Sequence, residues 1–89
     1  MKQRFLEVTY RKGKPFAAYL YLPRHSGDVS VRTVPQEVGL LIDYTADGRA
    51  IGIEITAPSK VTLDAHNRAL AAVQQELAMV DDIAPLLAA

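Results

Sequence analysis

With 89 residues, no cysteine and ten basic against ten acidic side chains, the chain has room for one domain and for no disulfide or thiolate metal site. A net charge of zero argues against a protein that grips phosphates, which needs a surplus of Lys and Arg. The hydrophobic share of 49% is high for a soluble domain, so a core can form without staples and some apolar surface is left for a partner.

The first two-thirds of the chain alternates with period two, and the last third changes to a helical period. A first strand is expected over Arg4–Tyr10, with Leu6, Val8 and Tyr10 on one face. Arg11-Lys12-Gly13-Lys14-Pro15 reads as a turn in which Gly13 supplies a positive φ. A second strand, Phe16–Leu22, places Phe16, Ala18, Leu20 and Leu22 on one side and Ala17, Tyr19 and Tyr21 on the other. After a loop over Pro23–Asp28, the β-branched run Val29–Val34 suggests a third strand that Pro35-Gln36-Glu37 breaks.

Val38–Tyr44 and Arg49–Thr56 flank Thr45-Ala46-Asp47-Gly48, a strong hairpin signal. A four-residue loop would pair Ile42 with Ile51, Leu40 with Ile53 and Val38 with Ile55, and would leave Leu41, Asp43, Gly52 and Glu54 on the opposite face. A helix then follows over 62–80, with Thr62 as N-cap and Asp64 in its first turn. Leu63, Leu70, Val73, Leu77 and Val80 form its apolar stripe. A short terminal turn over 82–89 follows, capped by Asp81 or Asp82, with Pro85 tolerated in its first turn. The expected fold is α+β, one domain spanning 1–89. About five mostly antiparallel strands built from hairpins fill 1–60, and the C-terminal helix packs on one face.

The run Asp43-Tyr44-Thr45-Ala46-Asp47-Gly48-Arg49-Ala50-Ile51-Gly52-Ile53-Glu54-Ile55, followed by Pro58-Ser59, resembles the bacterial family catalogued as domain of unknown function 2283. Ala17-Ala18-Tyr19-Leu20 lies where that family has an Ala-Leu-Tyr-Ile strand, so the likeness covers about residues 5–60. Two departures stand out: Phe16 replaces an aspartate common before the tyrosine, and Pro58 replaces the alanine of an Ala-Ser pair. The resemblance singles out Asp43, Asp47, Gly48, Arg49, Gly52 and Glu54 and brings no activity with it. Members of the family resemble small partners encoded beside toxin-like proteins, which implies an antitoxin-like binding role by association.

Several constellations invite chemistry. Asp43, Thr45, Asp47, Gly48 and Glu54 fall at EF-hand spacing, yet that motif needs flanking helices and both flanks here read as strands. His25-Ser26-Gly27-Asp28 holds the residue types of a triad, but consecutive loop residues cannot converge as a triad must, so a polar turn is expected. His66 has neither a His-x-x-His nor a Glu-x-x-His partner, so it reads as a partly exposed helix residue, and no metal or other cofactor is expected. Gly52 more plausibly lets Leu41 or a neighbouring layer approach closely than cradles a phosphate.

Residues 1–32 hold Lys2, Arg4, Arg11, Lys12, Lys14, Arg24 and Arg32 against Glu7 and Asp28, while the remainder is acidic. Complementary strands in one sheet account for this most simply. Nucleic-acid binding would require Arg4, Arg11, Lys12, Lys14 and Arg32 to converge on one side. Met1-Lys2-Gln3-Arg4-Phe5 lacks the apolar run of a signal peptide and no stretch approaches a membrane span, so a cytoplasmic protein without membrane contact is expected. Tyr19, Tyr21 and Leu41 face away from the expected helix and form a candidate interface. The leading expectation is a non-enzymatic module that forms a homodimer or binds a small protein partner. The alternative is a small ligand-binding domain or enzyme using the Asp43/Glu54 face.

Overall fold

The computed structural model of the protein describes residues 4–87, with side chains through Leu86. Lys2 and the last two residues of the expected terminal turn lie outside the described residues. Its strands are β1 (Phe5–Arg11), β2 (Lys14–Tyr21), β3 (Arg32–Glu37), β4 (Leu40–Tyr44) and β5 (Ala50–Ile55), followed by helices α1 (Leu63–Ala72) and α2 (Ala84–Leu87). All four strand pairings are antiparallel, in the order β1-β2-β5-β4-β3. The expected α+β architecture is therefore present. The order is not a simple meander, because β2 pairs with β5 while its chain successor β3 lies at the far edge.

Local chemistry explains the turns. Lys12 and Gly13 have φ values of 52° and 79°, and two successive positive φ angles make the tight turn whose twist suits a hairpin. Val38 and Gly39 form an equally short turn between β3 and β4, with Gly39 at φ 84°. Val38 is therefore not the first residue of a strand: it is 84% exposed at the turn tip. Strand three also differs from expectation, starting at Arg32 and running through Pro35 with an irregularity before Glu37. An edge strand accepts proline because the missing N–H would have faced solvent.

The β4–β5 hairpin keeps the expected faces but not the expected partners. Ile42 pairs with Ile53 and Leu40 with Ile55, two residues away from the four-residue-loop register. Two features cause this: the loop holds five residues, so that Ala50 instead of Arg49 is the partner of Tyr44, and a bulge with Ile51 as the extra residue then makes Gly52 the partner of Asp43. A shift of two preserves the alternation, so the same side chains stay inside. A second bulge, between Thr9 and Tyr10, turns Tyr10 and Phe16 outward, and each is about half exposed.

The core joins Ala18, Leu22, Leu40, Ile42, Ile53 and Ile55 of the sheet to Val61, Ala65, Ala69, Leu70, Ala78, Ile83 and Leu86. Thr62 caps α1 as expected, its hydroxyl accepting from the Ala65 amide at 3.1 Å. The helix does not reach residue 80. It stops at Ala72, and Gln74 takes a left-handed φ of 60°. There the Gln75 amide bonds the Leu70 carbonyl and the Gln74 amide bonds the Ala71 carbonyl, a complete helix-ending motif. Leu77 and Val80, expected in the apolar stripe, are more than half exposed.

Geometry explains the break. Five strands span about 19 Å, and one helix covers about 10–12 Å. By stopping early, the chain doubles back and brings Ala78, Ile83 and Leu86 into the same cluster. Asn67 fixes the return, its side-chain amide accepting from the Ala78 N–H at 2.7 Å and donating to the Ala78 carbonyl at 3.2 Å. The 3-10 turn Val80–Ile83 then starts with the Asp82 carboxylate accepting from the Met79 amide, and Pro85 sits in the first turn of α2. The expected exposure of His66 is also corrected: it is 2% exposed, under the returning segment.

Candidate functional site

The face of the sheet opposite the helices carries the residues singled out from the sequence. Across its strands, Glu7 pairs with Tyr19, Tyr19 with Glu54, and Glu54 with Leu41, while Phe5 pairs with Tyr21, Tyr21 with Gly52, Gly52 with Asp43, and Asp43 with Thr33. These two rows contain Tyr19, Tyr21, Leu41, Asp43, Gly52 and Glu54 together. Among the described residues, both helices join the core on the other side, so no second layer covers this one.

Gly52 makes the arrangement possible. A Cβ at that position would lie 1.8 Å from the Tyr19 hydroxyl oxygen, so the ring crosses β5 over bare backbone. The close approach expected at Gly52 is thus made by Tyr19, not by Leu41. The Tyr19 hydroxyl donates to Asp43 Oδ2 at 2.8 Å, and Thr33 donates to Asp43 Oδ1 at 2.5 Å. Both carboxylate oxygens are partnered, which is what a carboxylate only 5% exposed requires.

Proton affinities follow from this network. Burial raises the Asp43 carboxyl, but hydrogen bonds to Thr33, Glu54 and Tyr19 outweigh it and hold the group below the usual carboxylate range. Glu54 moves the other way, raised first by its hydrogen bond to Asp43 and then by burial, so it keeps the proton that the pair shares. Tyr19 is pushed up to about 12 by burial and by donating to Asp43.

An aromatic strip runs beside the carboxylates. Phe5 and Tyr21 have ring centroids 5.7 Å apart, and Tyr21 and Tyr19 meet edge to face at 4.7 Å. The Arg24 guanidinium stands 5.1 Å from the Tyr21 ring centroid and also donates to the Ile51 carbonyl. The Tyr21 hydroxyl donates to Glu7 at 3.3 Å. Phe5, Arg24 and Thr33 were not singled out from the sequence. Gly52 lies diagonal to Tyr19 on the neighbouring strand, and a glycine among the alternating residues of β5 is the signal that could have found the crossing ring.

The tip of the β4–β5 hairpin is a separate structural clasp. Arg49 makes a two-pronged ion pair with Asp28, both contacts 2.8 Å, and a third contact to Asp47 at 3.0 Å. The Thr45 hydroxyl donates to Asp47, and Gly48 turns the chain at φ 87°. Arg49 holds the Asp28 carboxyl well below the usual carboxylate range, while Thr45 and then Arg49 lower Asp47. The clasp ties the long β2–β3 connection to the hairpin. His25 and Asp28 bond through backbone and carboxylate as a polar turn.

The calcium-loop residues do not converge: Asp43 serves Tyr19 and Thr33, Asp47 serves Thr45 and Arg49, and Glu54 leans on Asp43. Among the described residues there is no group of three or more His, Cys, Asp or Glu side chains able to hold a metal ion. The described cavities lie away from the Asp43/Glu54 face. The basic residues are scattered: Arg4 bonds the Glu76 carbonyl, Arg11 stacks on Phe16 at the far end of β1, and Arg32 stacks on Tyr44 at the opposite edge. Among the described residues no helix is long and apolar enough to cross a membrane.

In comparisons with known proteins, no family model, no curated protein and no solved structure matches the chain.

Proposed function

We propose that the protein is a non-enzymatic binding module that pairs with a second copy of itself through the open face of its sheet. The observation that carries this reading is the aromatic strip Phe5–Tyr21–Tyr19 on a face that no described element covers. Tyrosines offer large, stiff, amphipathic contact area, and they are enriched where proteins meet. Self-pairing is favoured because the patch carries both signs of charge, with Arg24 over the Tyr21 ring and Glu7 on its hydroxyl. A twofold axis can set one copy's base against the other's acid. In this reading the protein works in the cytoplasm, and its resemblance to domain of unknown function 2283, with an antitoxin-like role, rests on the hairpin motif and the Ala17-Ala18-Tyr19-Leu20 strand.

A second reading places a ligand or reaction at Asp43 and Glu54, supported by their opposed proton affinities. Its support is weaker, because both oxygens of Asp43 are committed to Thr33 and Tyr19.

Sedimentation equilibrium at micromolar concentration tests the first reading. The parent should run as a dimer, and Phe5→Glu with Tyr21→Glu should run as a monomer that still melts cooperatively. A parent that is monomeric throughout, or a double variant that stays dimeric, overturns the proposed interface.

A further inference from the structure

The two edges of the sheet are built differently. β3 forms one edge and carries Pro35 and an irregularity before Glu37, both of which discourage a further strand. β1 forms the other, seven residues with no proline, paired with β2 alone. The irregularity between Thr9 and Tyr10 does not blunt this edge, because the extra residue, Phe16, lies on β2. Among the described residues, no backbone hydrogen bond from a turn or loop reaches Phe5–Arg11. The outer backbone groups of β1 are therefore a template for another strand.

The order of side chains along β1 decides what fits there. Two identical strands pair antiparallel about a twofold axis normal to the sheet, which keeps each face on its own side. The axis then passes beside a single residue. Centring on Glu7 opposes two like charges, and centring on Val8 sets Glu7 against Thr9 and Arg11 against Phe5. Centring on Thr9 sets Glu7 against Arg11, Val8 against Tyr10 and Thr9 against itself. Opposite charges, an aromatic beside a β-branched residue, and paired threonines are all favourable cross-strand neighbours.

Both charged residues are free to take part. Glu7 and Arg11 are exposed, and neither belongs to an ion pair among the described residues. Glu7 accepts from the Tyr21 hydroxyl through one oxygen, and the Arg11 guanidinium stands over the Phe16 ring, 4.2 Å from its centroid. Each keeps polar atoms for a partner. Tyr10, 55% exposed, gains a neighbour in the same register. Ala78, Asp82 and Ile83 of the returning segment share a cavity wall with Phe5 and Leu6, at the end of β1 away from the axis.

We propose that β1 pairs edge to edge with β1 of a second copy, in the register that opposes Glu7 and Arg11, and so joins two sheets into one of ten strands. The helices of both copies then lie on one side, and their open faces become continuous. This contact uses the edge of the sheet and does not rest on the face-to-face pairing described above. An overlap over Glu7–Arg11 buries little surface, so it forms at higher protein concentration than a broad interface does.

Charge reversal tests the pairing by sedimentation equilibrium from about 10 μM to about 1 mM protein, the range of a weak contact. The parent should double its mass over this range, from dimer to tetramer if the open faces pair and from monomer to dimer if they do not. Glu7→Arg and Arg11→Glu change exposed positions, and each should keep its low-concentration mass throughout, because like charges then face each other. An equimolar mixture of the two should double like the parent, since strands from different variants again oppose unlike charges at both contacts. The proposal is overturned if the parent's mass does not change, if either variant alone doubles like the parent, or if the mixture keeps the low-concentration mass.

Discussion

The two faces of the sheet solve the burial of polar groups in different ways. On the open face Asp43 is almost wholly buried, yet both oxygens are satisfied by side chains from strands on either side. On the covered face the core is nearly all aliphatic, and the buried His66 keeps an Nε2 atom without a hydrogen-bond partner. The open face is thus a closed polar brace edged by aromatic rings, and the covered face is an aliphatic core with one unmatched polar atom.

The largest expected effect separates core from surface within the covering layer. Leu70→Asp would bury a charge at a position 1% exposed and should abolish cooperative unfolding, because the cost is on the order of the whole stability of a small domain. Leu77→Asp, at a position 55% exposed, should change stability by no more than about 0.5 kcal/mol in urea denaturation. Equal, large losses at both positions would mean that the helix runs on to residue 80.

Next in size is a break in the open-face brace. Gly52→Ala should displace the Tyr19 ring and leave a buried oxygen of Asp43 without its donor, at a cost of about 1–3 kcal/mol. In a Tyr19→Ala background the same change should cost much less, since the clash is gone. Additive effects in the double variant would show that Tyr19 does not cross Gly52.

A smaller effect has a decisive sign. Gln74→Gly should stabilise the protein by up to about 1 kcal/mol, because Gln74 occupies a left-handed conformation that glycine adopts freely. A continuous helix would instead lose about 1 kcal/mol on the same substitution. Thermal melting of the two proteins decides between them.

On the open face Tyr19 and Glu54 have raised proton affinities and lose their contributions as the pH rises, whereas Asp43, held low, loses its contribution as the pH falls through its folded value. Tyr19 has a folded value near 12 against an ordinary 10, so its contribution is complete below pH 10 and is lost as the pH rises towards 12. Tyr19→Phe should flatten that alkaline limb. Glu54 is also raised, so its favourable contribution is confined to acid and falls away as the pH climbs through its folded value. Glu54→Gln should accordingly leave neutral-pH stability equal or slightly higher. Millimolar calcium should have the smallest effect, none on the melting temperature of the parent. A rise of several degrees that Glu54→Gln removes would contradict the hairpin reading of residues 43–54.

Much of this was legible in the sequence wherever alternation was strict. The strand faces of β2, β4 and β5 follow directly from period two, and so does the grouping of Tyr19, Tyr21, Leu41, Asp43 and Glu54 on one side. The hairpin register was not legible, because a loop of five residues and a bulge at Ile51 together shift partners by two without disturbing the alternation. The end of α1 was hidden for a different reason. Helices commonly stop at glycine, whereas here glutamine takes the left-handed position and Asn67 anchors the return from eleven residues away. The sequence suggests only a partly exposed His66, because what buries it is that returning segment, a tertiary event with no local signature. Asp28 and Arg49 likewise meet across a connection whose path the sequence does not specify.

The central claim, that the open face is where two copies meet, is tested most directly by an NMR dilution series. On dilution from millimolar to low micromolar protein, the ring signals of Phe5, Tyr19 and Tyr21 should shift together along one binding curve, while the Leu70 methyl and His66 ring signals stay fixed. Ring signals that do not move, or movement confined to residues on the helical side, would contradict the account.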